Sequence, residues 1–381
     1  MKRRVEVAIV GGGVIGCAIA YYLTQLGLRD IAVFERSYLA SGSTGRCGAG
    51  VRAQWGTEMN CRLAQSSIHD FETLADELDY PSIDFKQGGY LILAFGRAQL
   101  DQFGRNVALQ NSLGIQSRLV TPDEARRIVP HLVAPDLLGA TFCPTDGHCD
   151  PFKVTDAYAQ AARRGGAEIH TATTVTGLRV CAGRITTVET DRGPVDCGLL
   201  VNAAGPHAAQ IAAMAGCEIP YMTQRHQIMV TEPVAAMQDP MVISFSHGLY
   251  CQQTPRGSFI MGLGDPAEPV GFDMGHSWQF LADLASKIDY LMPALGSLRV
   301  VRQWSGLYEV TPDSQPLLGL APEPANLWLA AGFSGHGFML APMVGRILAQ
   351  LICGHAPEID ISPLDLGRFA RGEPMREPSV V

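Results

Sequence analysis

The opening stretch of the chain separates by pattern alone. Residues 5–10 are apolar except for Glu6, a run too short for a helix and suited to a buried strand. Three glycines follow, then an Ala-rich segment that predicts a helix starting near Val14, then a second apolar run that ends at Glu35. Further along, Leu63, Ile68, Phe71, Leu74 and Leu78 fall at helical spacing within residues 57–79. Residues 90–95 are strand-like and 97–113 helical again. Thr121-Pro-Asp-Glu predicts a helix start, with Thr121 as N-cap, Pro122 in the first turn and Glu124 three residues on. Asp150-Pro151 introduces an amphipathic helix that runs to Ala162, and strands are expected at 167–171, 174–180, 185–190 and 199–202. Four segments at 225–232, 241–245, 248–253 and 258–263 alternate or run apolar with no helix between them, which predicts an antiparallel sheet. A helix at 277–291, a strand at 327–331 and a helix at 341–352 complete the pattern, and the Pro-rich tail at 374–381 is expected to fray.

The turn after the first strand reads Gly11-x-Gly13-x-x-Gly16. Gly11 permits a tight strand-to-helix turn, Gly13 lets backbone approach a pyrophosphate, and Gly16 lets helix pack on strand. The helix N-terminus then faces the phosphates, and Glu35 closes the second strand where a carboxylate can accept from ribose hydroxyls. This pattern points to a dinucleotide and leaves NAD and FAD both open.

At 381 residues the chain exceeds one compact core, so two associated domains are expected. With 47% hydrophobic and 17% charged residues it is not a disordered chain. A net charge of −8 with no basic block excludes a nucleic-acid partner. No run reaches the ~18 apolar residues of a transmembrane segment, and the basic Met1-Lys-Arg-Arg start is followed by a nucleotide strand, not a signal sequence, so a cytoplasmic location is expected. The ten cysteines are scattered without Cys-x-x-Cys, which disfavours a metal site in this chain.

Glycine-rich loops recur at 41–50, 203–205 and 332–337, the last of them followed by a helix more than 300 residues after the first fingerprint. A nucleotide domain gathered from the start, middle and end of a chain suits a buried flavin better than a nicotinamide. The expected fold class is α/β, an FAD-binding Rossmann-like domain with an interleaved α+β substrate domain built on an antiparallel sheet. The FAD-binding parts are expected at 1–80, 141–220 and 301–365, the substrate parts at 81–140 and 221–300, and a tail at 366–381.

The fingerprint with Glu35, the Ser43-Thr44-x-Arg46 region, Asn202-Ala-Ala-Gly205, Gly332-Phe-Ser-Gly-His-Gly337 and Thr311-Pro-Asp-Ser-x-Pro316 together resemble the D-amino-acid-oxidase/sarcosine-oxidase family of FAD-dependent amine oxidoreductases. The stretches from Arg46 to Arg52, from Tyr221 to Gln227 and from Asp146 to Pro151 look most like the catalytic β subunits of heteromeric sarcosine oxidase and of dye-linked proline, hydroxyproline or opine dehydrogenases. The resemblance implies FAD as cofactor, hydride transfer from an amino acid or N-substituted amino acid to flavin N5, and hydrolysis of the resulting imine. It also implies an α subunit with a second dinucleotide site and a small iron–sulfur subunit as partners.

Departures from the family refine this. Where monomeric sarcosine oxidases tether FAD to a cysteine, this chain has Gly306, which implies non-covalent FAD. Met339 stands where those enzymes carry a substrate-binding lysine, and no lysine lies in 259–262, where their oxygen-activating one does. Slow reaction with O₂ is therefore expected, and a dehydrogenase is favoured over an oxidase. Cys149, beside His148, takes the place of the histidine that tethers FMN in heterotetrameric sarcosine oxidase, which leaves room only for a non-covalent FMN at a subunit interface.

Arg52 is the first candidate for a carboxylate clamp, because a guanidinium can bind a carboxylate bidentately. Tyr250 is expected to donate to the carboxylate or to cover the pocket, and His336 to hydrogen-bond the cofactor. The resemblance places the cofactor against Gly11, Gly13, Val14, Ile15, Gly16, Glu35 and Arg36, then Ser43, Thr44, Arg46, Cys47 and Gly48, then Val175, Ala204 and Gly205, and finally Gly306, Gly335, His336, Gly337 and Met339. His226 reads as a proton carrier or, more simply, as a satisfied core histidine. Two other functions fit the same residues: a self-sufficient oxidase that makes hydrogen peroxide, and a non-catalytic flavin subunit that only relays electrons.

Overall fold

The computed structural model describes residues 2–377 and 379. Two eight-stranded sheets carry the architecture. In the first, the strands Leu327–Ala331, Val195–Asn202, Arg4–Val10, Ile31–Phe34 and Glu168–His170 run parallel in that spatial order. Leu317–Leu320 adds an antiparallel edge, and the hairpin Val175–Cys181/Arg184–Thr190 hangs from the Val195–Asn202 strand. Val10 pairs with both Phe34 and Asn202, so three strands end level and open a crevice at their C-terminal edge. The helix Val14–Gln25 covers this sheet and packs against Pro151–Arg164 and Gly337–Ile352. A Cβ on Gly345 would stand 2.8 Å from the Ala18 Cβ, which is why small residues meet where two of these helices cross.

The second sheet runs Val300–Val310, Met222–Pro233, Ser258–Leu263, Leu249–Gln253, Met241–Ser244, Tyr90–Ala94, Gly139–Cys143 and Arg118–Val120. It is antiparallel apart from the parallel pair Met241–Ser244/Tyr90–Ala94. Period-two alternation divides its faces. Leu91, Leu93, Phe259 and Met261 pack with Phe280, Leu284 and Ile288 of the helix Trp278–Leu291. Full burial of each such side chain is worth roughly 1.5–3 kcal/mol. The opposite face carries Tyr90, Ile92, Ile243 and Tyr250.

Local signals act as the sequence suggests in most places. Thr121 accepts from the Glu124 amide in a complete capping box, and Asp150 accepts from the amides of Phe152 and Lys153. The helix expected at 341–352 starts at Gly337, four residues early, and holds Pro342 inside it. Val300–Val310, an 11-residue strand absent from the sequence reading, pairs along its length with Met222–Pro233 and brings Gly306 opposite His226.

The tail departs from expectation. Instead of fraying, Glu377 and Ser379 are buried, and the amides of Met375 and Glu377 donate to Asp313 at 3.0 and 3.1 Å. Arg368 holds Asp313 from the other side through a buried ion pair at 2.8 Å. Residues 378, 380 and 381 of the expected tail lie outside the described residues. Among the described residues, no helix is long and apolar enough to cross a membrane, and no cluster of side chains is disposed to hold a metal ion.

Candidate active site

The crevice at the level strand ends is built from backbone. Gly11 has φ +112°, and a Cβ there would lie 2.2 Å from the Ala203 carbonyl oxygen. A Cβ on Gly16 would lie 2.0 Å from the Gly11 carbonyl oxygen. Strand, turn and helix can therefore close only with glycine at both places. The helix N-cap, Gly13, has no side chain to cap the first turn, and Thr44 Oγ1 accepts only from the Val14 amide, at 3.2 Å. The rest of that turn is free to meet an anion.

Glu35 lies at one end of the crevice and accepts from the amides of Gly12 and Ser37 at 2.9 and 2.8 Å and from Ser41 Oγ at 3.1 Å. Gly11, Gly13, Val14 and Ile15 share the crevice wall with Ser43, Thr44, Cys47, Ala204, Gly205, Gly335 and Gly337. Four separated stretches of chain thus converge. Arg36 is exposed and Val175 is buried within the hanging hairpin, and neither lines the crevice. Arg46 folds back on its own loop, donating to the carbonyls of Ser41 and Ser305 at 3.2 Å each, and Gly306 gives it room. Ser43 Oγ donates to the Leu307 carbonyl at 2.6 Å and Trp304 Nε1 donates to the Arg46 carbonyl at 3.1 Å, which ties the loop to the second sheet.

A second cavity adjoins the crevice, and Cys47, Tyr308, Gly335 and Phe338 line both. Arg52, Tyr250, Gly48, His336 and Met339 meet there with Trp55 and Tyr90. Arg52 is 4% exposed, its guanidinium stacks 3.7 Å above the Trp55 ring, and its Nη1 donates to the Gln54 carbonyl at 2.8 Å. Its Nη2 donates to the Ser379 carbonyl. No carboxylate pairs with it among the described residues, and burial lowers its pKa. The carboxylates of Asp146 and Glu377 act on it only from a distance, so a buried cation with no direct ion pair among the described residues is suited to take an anion. Asp146 steadies this wall by accepting from the Ala53 amide and Gln54 Nε2 at 2.8 and 2.9 Å, while burial pushes its carboxyl up to about 6.

His336 is buried beside Trp55, with ring centroids 4.8 Å apart. Both ring nitrogens lack partners among the described residues, and burial pulls its pKa down to about 4, so the ring is neutral at neutral pH. Tyr250 packs over Gly48 and Gly262. His226 stacks between Tyr250 and Tyr308, at 5.6 and 4.5 Å, with Nε2 unpartnered and its pKa also pulled down to about 4 by burial. It is packed, as the simpler sequence reading has it, but not satisfied, and it packs against two rings of the cavity.

Several wall residues escaped the sequence reading. Tyr308 and Glu309 sit in the unrecognised strand Val300–Val310. Glu309 lines the crevice without a cationic partner among the described residues, and burial pushes its carboxyl up to about 8. A third cleft, on the far side of the 47–49 loop, is lined by His148, Cys149, Gln252 and Arg256.

The profile of the family described as FAD dependent oxidoreductase matches residues 6–351. The sarcosine oxidase subunit beta of Rhodobacter capsulatus is 28% identical over 98% of this chain and 90% of its own length. Human mitochondrial sarcosine dehydrogenase is 29% identical over 96% of this chain, which spans 41% of that protein. Among solved structures, the L-proline dehydrogenase of P. horikoshii superposes with a TM-score of 0.93 at 37% identity, covering 98% of this chain and 100% of that one. The glycine oxidase of Geobacillus kaustophilus gives 0.88 at 27% identity, covering 96% and 99%.

Proposed function

The chain belongs to the FAD-dependent oxidoreductase family, and we propose that it oxidises a small secondary amino acid of the proline or sarcosine type, held by its carboxylate at Arg52. The observation that carries this reading is the buried guanidinium of Arg52, which forms no ion pair among the described residues, at the end of a cavity that opens onto the glycine-built crevice. The crevice fits FAD: a capless helix N-terminus suits the pyrophosphate, Glu35 suits the ribose, and the gap between Gly335 and Cys47 leads toward Arg52. FAD held there would supply the hydride-accepting chemistry of the oxidation.

The residues of the chain bind, orient and exclude water. Arg52 fixes the carboxylate, so the carbon beside it lies at a defined depth. Trp55, Tyr90, Tyr250 and Tyr308 make an aromatic wall that suits a small ring or an N-methyl group better than a long charged side chain. His336 is neutral and unpartnered, ready to accept from or donate to the cofactor. Met339 supplies no charge, which leaves Arg52 as the one Arg or Lys lining the cavity among the described residues.

The names of the sarcosine oxidase β subunits and the full-length match to an L-proline dehydrogenase support a catalytic subunit of a heteromer that passes electrons to a partner. An α subunit with its own dinucleotide site and a small iron–sulfur subunit fit that role. The third cleft is our candidate for a non-covalent FMN at the interface, with Arg256 at its rim for a phosphate. Turnover with an artificial dye and with O₂ separates the readings. Fast dye reduction with little hydrogen peroxide supports the dehydrogenase, whereas rapid peroxide formation overturns it in favour of a self-sufficient oxidase.

A further inference from the structure

We infer that the C-terminal strap, residues 375–377 and 379, is a working part of the substrate site and that Glu377 is its positioning residue. The inference rests on Arg52 being the carboxylate clamp. Three observations carry it. First, Glu377 is 3% exposed and its carboxylate is fully engaged at the start of the helix Glu58–Glu77. It accepts from the Gly56 amide at 3.1 Å, Thr57 Oγ1 at 2.7 Å and Asn60 Nδ2 at 3.0 Å. That helix has no side-chain cap of its own, so the tail supplies the anion that its N-terminus favours. Second, Glu377 Oε1 also accepts from the Ser379 amide at 2.9 Å, and the Ser379 carbonyl meets Arg52 Nη2. Third, the strap is pinned upstream by Asp313, itself locked by the buried Arg368.

The consequence is geometric. The Arg52 guanidinium is held on one face by the Trp55 ring and along its edge by two carbonyls, those of Gln54 and Ser379. Each Nη keeps a second hydrogen for an incoming carboxylate. With the plane fixed before substrate arrives, less entropy is lost on binding. Without Glu377 the Ser379 carbonyl loses its placement and Arg52 can swing about its stem. Glu377 therefore acts through Arg52 and touches no reacting atom.

The test uses the full-length, FAD-loaded protein and a carboxylate that cannot be oxidised, tetrahydrofuran-2-carboxylate, titrated by its perturbation of the flavin spectrum. Glu377→Ala is expected to weaken its Kd by roughly tenfold and to raise KM for the amino acid by a similar factor, while kcat moves less than about twofold. FAD content is expected to stay as in the parent. Glu377→Gln, which keeps an acceptor oxygen, is expected to recover much of the loss. Should Glu377→Ala fail to fold, Thr57→Val removes a single strap bond and is expected to show a smaller shift in the same direction. A Kd unchanged or tightened in the folded strap variants overturns the inference. Arg52→Met, run beside them, separates the two readings. If it also binds the carboxylate normally, the Arg52 assignment has failed; if it alone loses binding, the strap inference has failed and Arg52 stands.

Discussion

Arg52 and Trp55, three residues apart on one short turn, stack with the guanidinium carbon 3.7 Å from the ring centroid, and the Trp55 Nε1 donates back to the Arg52 carbonyl at 3.0 Å. The turn thus presents a buried charge as a flat, oriented surface. Replacing Arg52 by Met removes the charge and the fork. Truncating one partner of a buried hydrogen-bonded charge pair costs about 2–5 kcal/mol. KM for a carboxylate substrate is therefore expected to rise roughly 30-fold or more, with kcat less affected. Steady-state kinetics with an electron-accepting dye checks this, and an unchanged KM contradicts the clamp.

Gly11 offers a test of the crevice. With φ +112° and the Ala203 carbonyl oxygen 2.2 Å from any Cβ, Gly11→Ala must displace the 203–205 turn. The expected outcome is purified protein largely free of FAD, read from the ratio of flavin to protein absorbance. Retention of a full complement of flavin would falsify the placement of the pyrophosphate at this turn.

Glu309 gives the crevice a pH signature. Its carboxyl is pushed up to about 8 by burial, from 4.5. Between those values the folded protein holds a proton that the unfolded chain has released, so this contribution to stability falls as pH rises toward 8. Glu309→Gln removes the dependence. Relative to the parent, the Tm of Glu309→Gln is expected to improve from pH 5 to pH 8. Parallel Tm profiles across that window contradict the assignment.

The buried Arg368–Asp313 pair holds the last turn of chain and the strap together. Breaking a buried pair from one side leaves an uncompensated charge and typically costs about 3–5 kcal/mol. Arg368→Met is expected to be destabilised to that extent in denaturant titration, and Arg368→Met with Asp313→Asn less than the sum of the two singly. Strict additivity would show that the two side chains act independently.

How far the sequence could be read depended on the range of each interaction. The first strand–helix–strand unit, the helix caps at Thr121 and Asp150 and the four strands between 222 and 263 rest on local signals, and they form where the pattern puts them. Arg52, Tyr250 and His336 were visible as chemistry, and the structure brings them to one cavity. The strand Val300–Val310 was not legible, because Val300, Val301 and Arg302 are exposed while Ser305, Gly306 and Leu307 are buried, which breaks simple alternation. With it went Tyr308 and Glu309, and the stacking of His226 on Tyr308, which depends on a register between strands about 80 residues apart. The tail misled for a related reason. Its Pro-rich, polar composition reads as solvent-exposed, and the partners of Glu377 at residues 56–60 are more than 300 positions away.

The central claim is that an FAD held in the glycine crevice is reduced by a small amino acid anchored at Arg52. Anaerobic mixing of the purified FAD-loaded chain with L-proline, sarcosine and other small amino acids, followed by flavin absorbance, tests it most directly. The account predicts bleaching by at least one secondary amino acid, abolished or greatly slowed in Arg52→Met. Flavin that stays oxidised with every amino acid tried, including in the presence of the proposed partner subunits, would contradict it.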